Sequence, residues 1–363
     1  MSLGTLRRQP LHPERMASSL DNSAWLQWVS TLMGGESRQT YAATLPPDRF
    51  YCLLDELPLH LIPQRARSLL RVRNHQQPLY LNPDCTVCPA GKVPDELRSH
   101  QDLLSGFAAG STIAWVRDPA AGSLLPFWLG PKIEAMLASL RPNQLAPSSI
   151  PEEVCRLLTE ANILLPHREN DQDKAERNQA TLTKSAALFR ERGYAPLPDL
   201  IHPFHIAALR RYYRYLIRIG AIVLGDGQSP RRYVAYNEPV SRFFHQQIAA
   251  TLSAVAGESM KPSYVYLASY LSGAELKKHT DRQQCEFSVT LCLDFSPEPA
   301  LETPWPIRLD APTGTVAVYQ ALGDGLAYRG TRLPHYRDVL APGHTSTSIF
   351  FHYVGSDFTG SLA

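Results

Sequence analysis

From Tyr264 onward the chain is a close succession of short β-forming runs: YVYLASYL, CEFSVTLCLDF, WPIRLD, GTVAVYQ, GLAYRG and TSTSIFFHYV. Each is rich in β-branched and aromatic residues and bounded by Gly, Pro, Asp or Ser, the punctuation of strands. Two runs with apolar residues at helical spacing precede them, IHPFHIAALRRYYRYLIRIG and SRFFHQQIAATLSAVAG. Helices followed by many short strands predict an α+β protein whose second half is a barrel buttressed on one face.

The chemistry is concentrated in YLSGAELKKHTD, Tyr270 to Asp281. His279 and Asp281 flank one residue, so on an extended strand both side chains project to one face and can share a metal ion. The apolar run FSVTLCLDF follows, and His335, in RGTRLPHYRD, returns after several strands. Two imidazoles and one carboxylate on one side of an iron leave the opposite coordination positions open, as oxygen activation requires. The pattern predicts a non-haem iron(II) site.

The order Tyr-x-x-Gly (Tyr270 to Gly273), His-x-Asp, then a distal His followed by a strand resembles the 2-oxoglutarate- and iron(II)-dependent oxygenases, in particular their prolyl-hydroxylase-like branch. The resemblance covers roughly residues 195 to 355. It implies that His279, Asp281 and His335 are the catalytic metal ligands and that Tyr270 lies near the co-substrate. The implied fold is a double-stranded β-helix, a jelly-roll catalytic domain with the metal at its open mouth. The implied cofactors are Fe(II), 2-oxoglutarate and O2, and the implied reaction is a hydroxylation. Asp281 argues against the halogenating relatives, in which a small residue makes room for chloride.

One position departs from the family. Its basic residue after the distal histidine, in a G-x-R-x-S strand, holds the far carboxylate of 2-oxoglutarate. Here the run is Gly343-His344-Thr345-Ser346-Thr347, with Thr345 at the basic position. A dianion in a closed pocket still needs a charged donor. Arg337, two residues past His335 and so on the same face, is the first substitute; it reads equally as a rim or salt-bridge residue. Arg282, His344 and Arg332 follow. The loss at position 345 also supports a second reading, a non-catalytic jelly-roll module for binding or regulation that keeps the metal site.

The 363 residues suggest two domains. A flexible tail is expected over 1–23, a mainly helical N-terminal domain over 24–166, a polar linker or solvated helix over 167–189, and the catalytic domain over 190–363. In the first half WLQWVSTLM, RFYCLLDELPLHLI, QRARSLLRVR, PKIEAMLASL and IPEEVCRLLTEANILL read as helices, and STIAWVRD with GSLLPFWLG as a strand pair. Cys85 and Cys88 have the spacing of half a zinc site, with His75 and His100 nearby, but a single CxxC favours a turn with two thiols. His202, His205 and His245 read as structural or exposed, and Arg210, Arg211, Arg214 and Arg218 as a solvated helix face. The formal charge of +2 gives no basic field for nucleic acid. No apolar stretch reaches the length of a membrane span, and six scattered cysteines fit a reduced cytoplasmic setting. The expected partner is a small-molecule or peptide substrate, and the first half either recognises it, covers the barrel or forms a homodimer interface.

Overall fold

The alternation of apolar residues in the later strands is answered by two antiparallel sheets. The computed structural model describes residues 52–67, 78–100, 111–117, 123–166 and 168–362. The expected tail, the helix over WLQWVSTLM and His75 lie outside these residues. The side chain of His100 is likewise outside the description.

In the first half, β1 (Tyr80–Leu81), β2 (Cys85–Cys88), β3 (Ile113–Arg117), β4 (Leu124–Trp128) and β5 (Leu164–Leu165) accompany the helices α1 (Gln64–Arg67), α2 (Pro131–Leu137) and α3 (Glu152–Glu160). The expected strand pair is β3 and β4, which β2 extends into a three-stranded antiparallel sheet. Cys85 and Cys88 therefore sit on a buried strand rather than a turn, and both are free thiols. RFYCLLDELPLHLI does not form the expected helix. Pro58 separates two short 3-10 turns, Leu54–Glu56 and Leu59–Leu61.

The polar segment over 167–189 takes its helical alternative, within α4 (Arg168–Arg192), which packs against β6 (Tyr194–Leu197) and against α6 (Pro239–Ala256). Between them lies α5 (Pro203–Arg218). The remaining strands are β7 (Val223–Leu224), β8 (Arg232–Tyr236), β9 (Met260–Tyr270), β10 (Leu276–His279), β11 (Phe287–Ser296), β12 (Ile307–Ala311), β13 (Gly314–Val318), β14 (Gly325–Tyr328), β15 (His335–Arg337) and β16 (Thr345–Gly355).

A seven-stranded sheet has the order β6-β14-β11-β16-β9-β8-β7, and a four-stranded one the order β10-β15-β12-β13. From β9 to β16 the chain passes back and forth between them, so sequence neighbours are seldom sheet neighbours. The result is a mixed α/β arrangement of two antiparallel sheets with helices beside them. On β16, Ile349, Phe351 and Tyr353 enter the core shared with the helices, whereas Phe350 turns into the space between the sheets with Tyr270 and Cys292. A third cluster bridges the sheets through Tyr194, Leu326 and Tyr328 on one and Ile307, Leu309 and Ala311 on the other. The two-residue period thus gives the large sheet two buried faces.

Arg210 corrects the expectation of a solvated arginine face. It is 1% exposed and binds Asp294 at 2.8 Å, Glu298 at 3.0 Å and the Leu61 carbonyl at 2.5 Å. Arg214 binds the other oxygen of Asp294 at 2.6 Å, and Arg67 reaches Glu298 at 3.1 Å. These bonds tie the segment around residue 61 to the end of β11. Removing one partner of a buried pair strands the other charge, so Arg210→Met should lower stability by about 3–5 kcal/mol. Arg156→Ala, which breaks an exposed pair with Glu152, should cost less than about 1 kcal/mol. Urea unfolding measures both.

Candidate metal centre

Strands β10 and β15 run antiparallel with His279 directly opposite His335. Cross-strand partners share a face, and the two rings have centroids 4.4 Å apart. Asp281, just past β10, is pinned by its N–H donating to the Gly330 carbonyl at 2.9 Å. Its Oδ1 lies 3.7 Å from His279 Nε2 and 3.5 Å from His335 Nε2. One ligand atom from each of the three residues falls within 4.8 Å of the others.

The tautomers follow from the backbone. His279 Nδ1 is 2.7 Å from the Lys277 carbonyl and His335 Nδ1 is 3.0 Å from the Leu333 carbonyl. A carbonyl only accepts, so each Nδ1 carries the proton and each Nε2 turns its lone pair toward Asp281. Burial, helped by the neighbouring His335, lowers the pKa of His279 and favours the neutral, ligating ring. Burial alone would raise the Asp281 carboxyl. The neighbouring His335 and His352 rings and the Ser288 hydroxyl outweigh it and hold the group below the usual carboxylate range.

Behind this cluster, Ser288 Oγ donates to Asp281 Oδ2 at 2.8 Å and accepts from His352 Nδ1 at 2.9 Å. Gly330 permits the close approach. A Cβ there would lie 2.4 Å from both Asp281 Oδ2 and the Cys285 carbonyl. None of Ser288, Gly330 and His352 stands out in the sequence; Ser288 and His352 could have been found only as polar inward positions on strands otherwise apolar.

Asp281, Cys285 and His352 form a second group of suitable spacing. Burial, with the negative charge of Asp281, pushes the Cys285 thiol up to about 12, and its sulfur is 3.0 Å from Tyr264 Oη. A protonated thiol is a poor ligand, which leaves the two histidines and Asp281 as the better metal set.

The cluster opens into a cavity of about 860 Å³ whose wall includes Tyr270, Tyr328, Arg232 and Arg282. Tyr270 accepts from Arg232 at 3.1 Å and meets Trp305 edge to face at 5.0 Å. Arg337 is neither on a rim nor in a salt bridge among the described residues. It is 4% exposed, lies 4.8 Å over the Trp305 ring and donates to the Trp305 carbonyl at 2.6 Å. Its buried Nε has no partner, and neither has Ser348 Oγ, which stands across the strand pair from Cys292. Thr345 begins β16 opposite Ser296, and His344 bonds the Pro342 carbonyl; both, like Arg337, lie outside the cavity lining, and Arg332 is exposed.

No family model and no curated protein matches the sequence. Among solved structures, the chain is similar to the non-haem alpha-ketoglutarate-dependent epimerase SnoN from nogalamycin biosynthesis, with 16% identity over 49% of this chain and 82% of that one and a TM-score of 0.41. It is also similar to a prolyl-4-hydroxylase from Pseudomonas putida, with 16% identity over 47% of this chain and 99% of that one and a TM-score of 0.39. HygX from Streptomyces hygroscopicus, solved with nickel, 2-oxoglutarate and hygromycin B, is 12% identical over 48% of this chain and 88% of that one, with a TM-score of 0.40.

Three buried imidazoles set a pH dependence. Burial lowers His205 and His245 to about 3 and His352 to about 4, from an ordinary 6.5. Unfolding restores the ordinary value, so between pH 6.5 and about 4 the unfolded chain binds more protons than the folded one. Stability should therefore fall steadily as pH drops from 6.5 toward 4 and be nearly flat between 7 and 8. Thermal melts across that range check the sign.

Proposed function

We propose that the protein is an Fe(II)- and 2-oxoglutarate-dependent dioxygenase built on a double-stranded β-helix, and that it hydroxylates an unactivated C–H bond. The observation that carries this reading is the convergence of two Nε2 lone pairs and one ionised carboxylate on a single point at the wall of a cavity. That donor set of two imidazoles and one carboxylate suits iron(II). When bound, iron and 2-oxoglutarate supply the oxygen activation, with 2-oxoglutarate converted to succinate and carbon dioxide.

The chain's own residues supply position and charge. His279 and His335 are oriented by the carbonyls of Lys277 and Leu333, and Asp281 is kept ionised and fixed by Ser288 and the Gly330 carbonyl. Arg337 is the candidate for the far carboxylate of 2-oxoglutarate. It is a buried guanidinium with an orphaned Nε and no acidic partner among the described residues. A buried cation without an anion is costly, and a carboxylate arriving there would offset that cost with charge-assisted hydrogen bonds. The basic residue missing at position 345 is thereby supplied from β15, which favours the enzyme over a non-catalytic module.

His279→Ala and Asp281→Ala should each abolish stoichiometric iron binding while the folded state survives, as metal analysis on protein of unchanged circular dichroism would show. Iron retained in both variants would move the centre elsewhere. In wild type, iron(II), ascorbate and 2-oxoglutarate should give succinate even without the true substrate. Arg337→Met should raise KM for 2-oxoglutarate by about tenfold or more, the worth of a charged hydrogen bond, while an unchanged KM would clear Arg337 of that role.

A further inference from the structure

The charges around the cavity do not balance. Five side chains of full charge line it: Asp226, Arg232, Arg242, Asp281 and Arg282. Asp226 and Arg232 neutralise each other, with Arg232 donating from Nε at 2.8 Å and again from a terminal nitrogen. Both Asp226 oxygens are fully engaged, Oδ1 by the N–H groups of Gln228 and Ser229 and Oδ2 by Arg232 and the Tyr266 hydroxyl. Asp281 is committed to the two histidines and Ser288. Arg242 and Arg282 are left, and neither is paired with a carboxylate among the described residues.

Arg282 is also held in a definite place. Its guanidinium lies 4.7 Å over the Tyr264 ring, its Nε donates to Tyr264 Oη at 3.3 Å, and Tyr264 in turn stacks on Tyr236 at 5.0 Å and 28°. A guanidinium held over a ring through its Nε leaves its terminal N–H groups as a fork, the geometry that suits a planar oxyanion. Arg242, exposed in the first turn of α6, also lines the cavity. At about 860 Å³ the cavity is of the size that encloses a small molecule, roughly 300–1,000 Å³, rather than a groove for a peptide chain.

We infer that the substrate is a small organic anion, its oxyanion held by Arg282 with Arg242 and its body laid along the Tyr236 and Tyr264 wall. The direction of its reacting C–H bond, toward His279, Asp281 and His335, rests on the function proposed above; the binding itself does not.

The test uses matched pairs of small carboxylates and their neutral amides, aromatic and aliphatic, beginning with N-acetyl-L-tyrosine and N-acetyl-L-tyrosinamide. They are titrated calorimetrically into the full-length chain in chelator, so that a wrong assignment of the metal leaves the result intact. The acids should bind about tenfold or more tightly than the amides. The preference should vanish in Arg282→Gln and persist in Arg282→Lys, which keeps the charge and guards against misfolding of the first variant. Equal affinity of acid and amide throughout the series overturns the inference, as does a preference that survives in Arg282→Gln combined with Arg242→Gln. A rise in KM for 2-oxoglutarate in Arg282→Gln as large as that in Arg337→Met would make Arg282 a co-substrate ligand and would also overturn it.

Discussion

The site depends on one cross-strand pairing, His279 against His335, in which each ring is held by a carbonyl two residues before it in the chain. Strand pairing brings the imidazoles together, and the carbonyl bonds decide which nitrogen faces the third ligand. Asp281 joins them only because Gly330 lets two loops approach more closely than any side chain would allow. A shift of one residue in that pairing would leave the two histidines on opposite faces of the sheet. The packing between the sheets, through Ile307, Leu309 and Tyr328, protects the register.

Around this pairing the arginines sort into two kinds. Arg210 and Arg232 are fully answered by Asp294, Glu298 and Asp226, and serve the architecture. Arg337 keeps an unpartnered nitrogen in the barrel interior, and Arg242 and Arg282 face the cavity with no acid opposite them. A folded chain gains little by burying charge for its own sake. That cost applies to Arg337, which is buried, and underlies its proposed role toward 2-oxoglutarate; Arg242 and Arg282 are exposed to solvent, so their proposed role rests on their place in the cavity wall.

Much of this was legible in the sequence, for local reasons. The dyad spacing of His279 and Asp281, the strand runs after Tyr264 and the shared face of His335 and Arg337 all follow from a period of two along a strand. Long-range matters were not legible. Nothing in IHPFHIAALRRYYRYLIRIG distinguishes buried Arg210 from exposed Arg214, because the partners of Arg210 lie far away on and after β11. RFYCLLDELPLHLI has helical spacing, yet from residue 52 on, where it is described, Pro58 divides it into short turns whose Cys52, Leu54, Leu57, Leu61 and Ile62 join the core. The stacking of Arg282, in the turn after β10, on Tyr264 of β9 is a tertiary contact that no local spacing shows.

The most direct test is anomalous diffraction at the iron edge from crystals grown without oxygen in iron(II) and 2-oxoglutarate. One peak is predicted, within coordinating distance of His279 Nε2, His335 Nε2 and an Asp281 oxygen, with a carboxylate of 2-oxoglutarate on Arg337. A peak among Asp281, Cys285 and His352, or well-ordered 2-oxoglutarate with no iron between the two histidines, would contradict the account.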